Sequence, residues 1–103
     1  MGIVYISGPM SSLPEEEYRR NFNNAERFYQ NLDYIVVNPV RIGEDYLKKN
    51  PGAGYDELLE NDLVYLRKCT HIALLEGYEH SNGCKVELQE AKDMGLQVIY
   101  HCI

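Results

Sequence analysis

Apolar positions along this chain keep two rhythms. Ile3-Val4-Tyr5-Ile6, Tyr34-Ile35-Val36-Val37, His71-Ile72-Ala73-Leu74-Leu75 and Leu96 to Tyr100 are short, mostly apolar runs that read as strands, the first of them buried. Between them the spacing turns helical: Tyr18, Phe22, Ala25, Tyr29 and Leu32 recur at intervals of four, three, four and three. Ser12 is expected to cap this helix, with Glu15 completing a capping box and Pro14 in the first turn. Asn38-Pro39 stops the second strand. Ile42 to Lys49 fits a short helix, and Asn50 to Gly54 reads as a loop. A third helix is expected from about Tyr55 to Arg67. A last one runs from about Asn82 to Met94, ended by Gly95 as a left-handed cap.

Alternation of strand and helix at this spacing implies a parallel sheet with right-handed crossovers. The expected fold is α/β: a flavodoxin-like three-layer sandwich around a four-stranded parallel sheet of order 2-1-3-4. Its 103 residues make one domain, 1–103, without repeats, linkers or low-complexity segments.

Charge and cysteine usage narrow the partners. A net charge of −6 leaves no basic stripe for a nucleic-acid backbone, though helix amino termini can still attract a small anion. The three cysteines, Cys69, Cys84 and Cys102, are too far apart for a thiolate metal pair and read as buried or free thiols. His71, His80 and His101 lack ligand spacing, so no metal or other cofactor is expected. No apolar run reaches the length of a membrane span and no signal peptide precedes the first strand, so a cytoplasmic protein is expected.

Candidate chemistry concentrates between Leu74 and Glu87, where an apolar strand passes through a polar loop into a helix. Parallel α/β proteins build ligand sites at this junction. Two acids stand out. On the third helix Asp62 shares a narrow band with Tyr55, Leu59 and Leu66, in the place of a leucine. A carboxylate there must be paired, hydrogen-bonded or facing a wet pocket; an acid that caps neighbouring amides is the structural alternative. On the last helix Glu87 flanks the stripe of Cys84, Leu88, Ala91 and Gly95, about 60° away. Its alternative is a boundary salt bridge to Lys92 or Arg41. Ser7-Gly8-Pro9-Met10-Ser11-Ser12 is a candidate anion loop, since its amides and the following helix start converge. Tyr5 and Tyr78 are candidates to stack on a base.

Three segments carry a resemblance: Tyr5-Ile6-Ser7-Gly8-Pro9, Asn61-Asp62-Leu63, and Ser81-x-Gly83-x-x-x-Glu87-Leu88-x-x-Ala91-x-x-x-Gly95. Together they resemble the nucleoside 2-deoxyribosyltransferase superfamily, which includes the deoxynucleoside 5′-monophosphate N-glycosidases. The version here is most similar to a small branch common in phage and bacterial genomes. The resemblance implies that Glu87 is the nucleophile attacking the anomeric carbon and that Asp62 orients the leaving base or manages its proton. It implies that Ser81, beside Gly83, contacts a 5′-phosphate, that Gly8 and Ser7 let the backbone approach sugar or phosphate, and that Tyr5 lines the base pocket. Tyr78 and Glu76 fall in a loop that varies across the superfamily. The implied partner is a small nucleoside or nucleotide, cleaved or transferred at its N-glycosidic bond. A nucleotide-binding or sequestering module without catalysis is the rival. The helix amino-terminal field is expected to help keep Glu87 ionised.

The chain ends at Ile103, without the carboxy-terminal segment that helps close the site in better-known members. A neighbouring subunit is therefore expected to cover the pocket, or the site to stay open. Val86 points away from the packing stripe, and a homodimer through the last helix, with the third as a further candidate, is the expected assembly.

Overall fold

The computed structural model describes residues 2–101; Cys102, expected as a buried or free thiol, lies outside them. The elements run β1 (Ile3–Ser7), α1 (Glu15–Asn31), β2 (Ile35–Val37), α2 (Pro39–Lys49), α3 (Tyr55–Leu66), β3 (His71–Leu75), a single 3₁₀ turn (Tyr78–His80), α4 (Asn82–Asp93) and β4 (Gln97–His101). All strand pairs are parallel and the sheet order is β2-β1-β3-β4. This is the expected flavodoxin-like sandwich.

Alternation along β1 divides the core. Val4 and Ile6 face α1, packing with Tyr29 and with Phe22 and Ala25 respectively. Tyr5 faces the other layer, against Leu63 and Leu66 of α3 and Ala91 of α4. Ser7 lies two residues further on and shares the Tyr5 side. The two middle strands are buried along nearly their whole length. Their carboxyl ends therefore sit at the centre of the fold, where a crevice can open.

Two helix starts differ from expectation. Ser12 does not cap α1. Pro14 is the cap residue, in extended conformation at ψ 146°, and no side chain caps the helix. The cause is local: a helix from Ser12 would force Leu13, the residue before a proline, into the disfavoured helical region. Instead the Leu13 amide donates to the Met10 carbonyl at 3.0 Å, closing a turn. The second difference is that α2 begins at Pro39. Asn38 caps it, its Oδ1 accepting from the Val40 amide at 3.0 Å, and Pro39 supplies a first residue that needs no partner for an N–H. The same pair therefore ends β2 and starts α2.

The α1 stripe also shifts. Leu32 is the carboxy-terminal cap and exposed, while Glu26 is buried among Phe22, Ala25 and Tyr29. Glu26 is satisfied by Arg41 and the Asn38 amide, each at 3.0 Å. At the far end Gly95 has φ 77°, the left-handed conformation expected of it. Among the described residues no helix is long and apolar enough to cross a membrane.

Candidate functional site

A cleft of about 630 Å³ opens at the carboxyl end of the sheet. Gly8 and Ser11 lie on the β1 side, Leu59 and Asp62 come from α3, and Ser81 and Glu87 from the start of α4. A second cleft of about 630 Å³, holding Arg20 and His101, lies against α1 and contains neither Asp62 nor Glu87. Both acids singled out in the sequence line the first.

Glu87 is the centre of the site. It is only 6% exposed, more buried than its stripe neighbour Leu88. Among the described residues no basic side chain pairs with it, and the two salt-bridge partners considered for it are elsewhere. Arg41 pairs with Glu26, and no ion pair joins Lys92 to Glu87. Glu87 is held instead by two hydroxyls. Tyr5 donates to Oε2 at 2.6 Å and Ser7 to Oε1 at 2.7 Å. Strand periodicity explains the pairing, because residues two apart on β1 point to one face and present their hydroxyls to α4 together. Each carboxylate oxygen keeps acceptor capacity toward the cleft.

Electrostatics are set by burial. Desolvation pushes the Glu87 carboxyl up to about 7, against the Tyr5 and Ser7 hydrogen bonds that favour its charge. Glu87 lies beyond the first turn of α4, where the field of the helix start is weaker, and burial outweighs the hydrogen bonds that favour its charge. Asp62 is pushed further, to about 8, first by burial and then by the Glu87 charge, with the Tyr5 hydroxyl opposing. Burial, then the Glu87 and Asp62 charges, hold the Tyr5 phenol well above its ordinary value, so it remains a donor. Two neighbouring acids both raised by burial in one cleft are a common signature of acid–base chemistry.

The expected site residues divide three ways. Asp62, Ser81, Gly83 and Glu87 converge on the cleft, with Gly8 at its edge. Tyr5 and Ser7 are fully buried beneath it, so Tyr5 offers a hydroxyl to Glu87 and not a ring to a ligand. Tyr78 is not among the cleft-lining residues. It packs against the core between the sheet and α3 and α4, with its ring 6.0 Å from that of Tyr100.

Gly8 has a packing reason. A Cβ there would stand 2.7 Å from Leu75 Cδ1 and 2.9 Å from Leu75 Cβ, so the residue that follows β1 has to pass close against Leu75. The anion loop also changes. With α1 starting at Glu15 and carrying Glu15, Glu16 and Glu17 in its first turn, that helix start does not favour an anion. At α4 the picture holds: Ser81 caps the helix, its Oγ accepting from the Cys84 amide at 3.3 Å, with no acid in the first turn.

Cys84 and Tyr55 are cleft residues that sequence reasoning assigned to packing stripes. Cys84 is buried, and burial pushes its thiol up while the Ser7 and Ser81 hydroxyls oppose. Cys69 is likewise a buried free thiol. Among the described residues no group of three or more His, Cys, Asp or Glu is placed to hold a metal ion.

The chain belongs to the family described as a domain of unknown function, DUF4406. The family model matches residues 2–100, which takes in every element of the fold up to β4 and both acids of the cleft. No curated protein matches the chain.

Proposed function

We propose that this protein cleaves or transfers the N-glycosidic bond of a nucleoside or nucleoside 5′-monophosphate, with Glu87 as nucleophile. One observation carries the reading: a buried carboxyl, fixed through both oxygens by hydroxyls, beside a second carboxyl that burial also holds above its ordinary range, in a cleft of ligand size. The resemblance to the nucleoside 2-deoxyribosyltransferase superfamily supports the same assignment on the same residues.

The chemistry follows double displacement. Ionised Glu87 attacks C1′ of the sugar. The C1′–N bond breaks, its electron pair leaving with the base, and protonated Asp62 gives that base its proton. Water, or the nitrogen of a second base, then attacks C1′ and displaces Glu87. The proton released by the attacking group returns to Asp62. Tyr5 and Ser7 keep Glu87 in one orientation through both steps, which removes a reorganisation cost from the barrier.

Ser81 bears on the substrate. A neutral hydroxyl capping α4 can donate to a phosphate beside the free amides of the first turn, so monophosphates are the preferred substrates in this reading. Incubation with a panel of deoxynucleosides and their 5′-monophosphates, with free base followed by chromatography, tests the proposal. Base release, greater from monophosphates, is the expected result. Stabilisation of the fold by a nucleotide, about 2.7 kcal/mol at ~100 times its dissociation constant, without any base release would instead establish a binding module.

A further inference from the structure

The two tyrosines expected to stack on a base are committed elsewhere, Tyr5 beneath Glu87 and Tyr78 against the core. A third aromatic stands in the cleft. Tyr55 opens α3 and lines the cavity with Leu58 and Leu59. At 61% it is the most exposed large apolar side chain among the described residues, so core packing does not account for it.

The ring reaches across the opening. A Cβ on Gly83 would stand 3.1 Å from the Tyr55 hydroxyl, so the side chain spans from the start of α3 to the first turn of α4. Its surroundings agree: burial, then the Glu87 charge, raise the phenol above its ordinary value, with Cys84 and Asp62 contributing. Tyr55 and Asp62 are about two turns apart on one face of α3, and both line the cleft. Tyr55 and Asp62 therefore border one cavity, the first with an exposed aromatic ring and the second with a polar edge.

We propose that Tyr55 is the platform on which a purine or pyrimidine stacks while Asp62 meets its edge. The proposal rests on the glycosidase reading for the identity of the ligand. It assigns base binding to a residue outside the acid–hydroxyl cluster. Because every nucleobase has a π face, such a platform holds a base without choosing among bases. Choice is then left to the polar edge of the cleft.

Calorimetric titration of wild type, Tyr55→Phe and Tyr55→Ala with free adenine and thymine tests it, with deoxyribose 5-phosphate as a ligand that has no base. Tyr55→Phe should bind the bases like wild type, and Tyr55→Ala roughly tenfold more weakly or worse. All three should bind the sugar phosphate alike and unfold at similar temperatures, since the side chain is exposed. Equal base affinity in Tyr55→Ala, equal loss for base and sugar phosphate, or no base binding by wild type would overturn the proposal. These titrations need no turnover. Tyr55-dependent base binding without base release from any nucleoside would uphold Tyr55 and reject the glycosidase. Base release with Tyr55-independent binding would do the reverse.

Discussion

At the level of single residues, the site depends on how Glu87 and Asp62 divide one proton. Nucleophilic attack requires Glu87 ionised and protonation of the leaving base requires Asp62 neutral. Burial pushes both carboxyls up, to about 7 and about 8, so the pair holding a single proton is most populated near neutral to mildly alkaline pH. A bell-shaped rate profile with its optimum there is expected. Tyr5→Phe should move its acidic limb to higher pH, because the 2.6 Å hydrogen bond that favours ionised Glu87 is gone. A limb unmoved in Tyr5→Phe would show that the phenol does not tune Glu87. The two acids were legible in the sequence as charges on or beside apolar stripes, and Tyr5 and Ser7 through their order along β1. The roles of Tyr5 and Tyr78 were not, because nine tyrosines follow one pattern and only tertiary contacts separate a buried hydroxyl from an exposed ring.

Among the elements, α4 carries the most function. Ser81 is both its cap and a wall of the cleft, and substitution can separate these roles. Ser81→Asp keeps a good capping acceptor, so the unfolding temperature should change little, but it places a carboxylate where a phosphate would sit. Specificity constants for monophosphates should fall well below wild type while those for nucleosides hold. Equal losses for both substrates would remove the phosphate from Ser81. Strand and helix identities were legible throughout, since mostly apolar runs and helical spacing are strong signals. Element starts were less so: Ser12 had the residue type of a cap, and the steric demand of Pro14 on Leu13 overrode it. Asn38-Pro39 read as a stop, while its capping geometry also makes it a start.

For the whole molecule, a parallel sheet covered on both faces leaves its crevice at the carboxyl ends of β1 and β3, with Glu87 buried and Asp62 half-buried there. Burying them has a stability consequence with a definite sign. Their folded-state values lie above the ordinary carboxylate range, so the folded protein binds more protons than the unfolded chain between about pH 4 and pH 8. Stability from these groups is fully present below that window and is lost as pH rises through it. The unfolding midpoint should therefore fall across the window in wild type, and Asp62→Asn should flatten the slope. A slope unchanged by Asp62→Asn would mean that Asp62 is not held neutral. Catalysis by Glu87 remains the central claim, and the rate of base release by Glu87→Gln beside wild type tests it most directly. The account predicts a loss of about a thousandfold or more, about 4 kcal/mol of barrier, in a protein that still folds and binds the substrate. Base release by Glu87→Gln at the wild-type rate would contradict it.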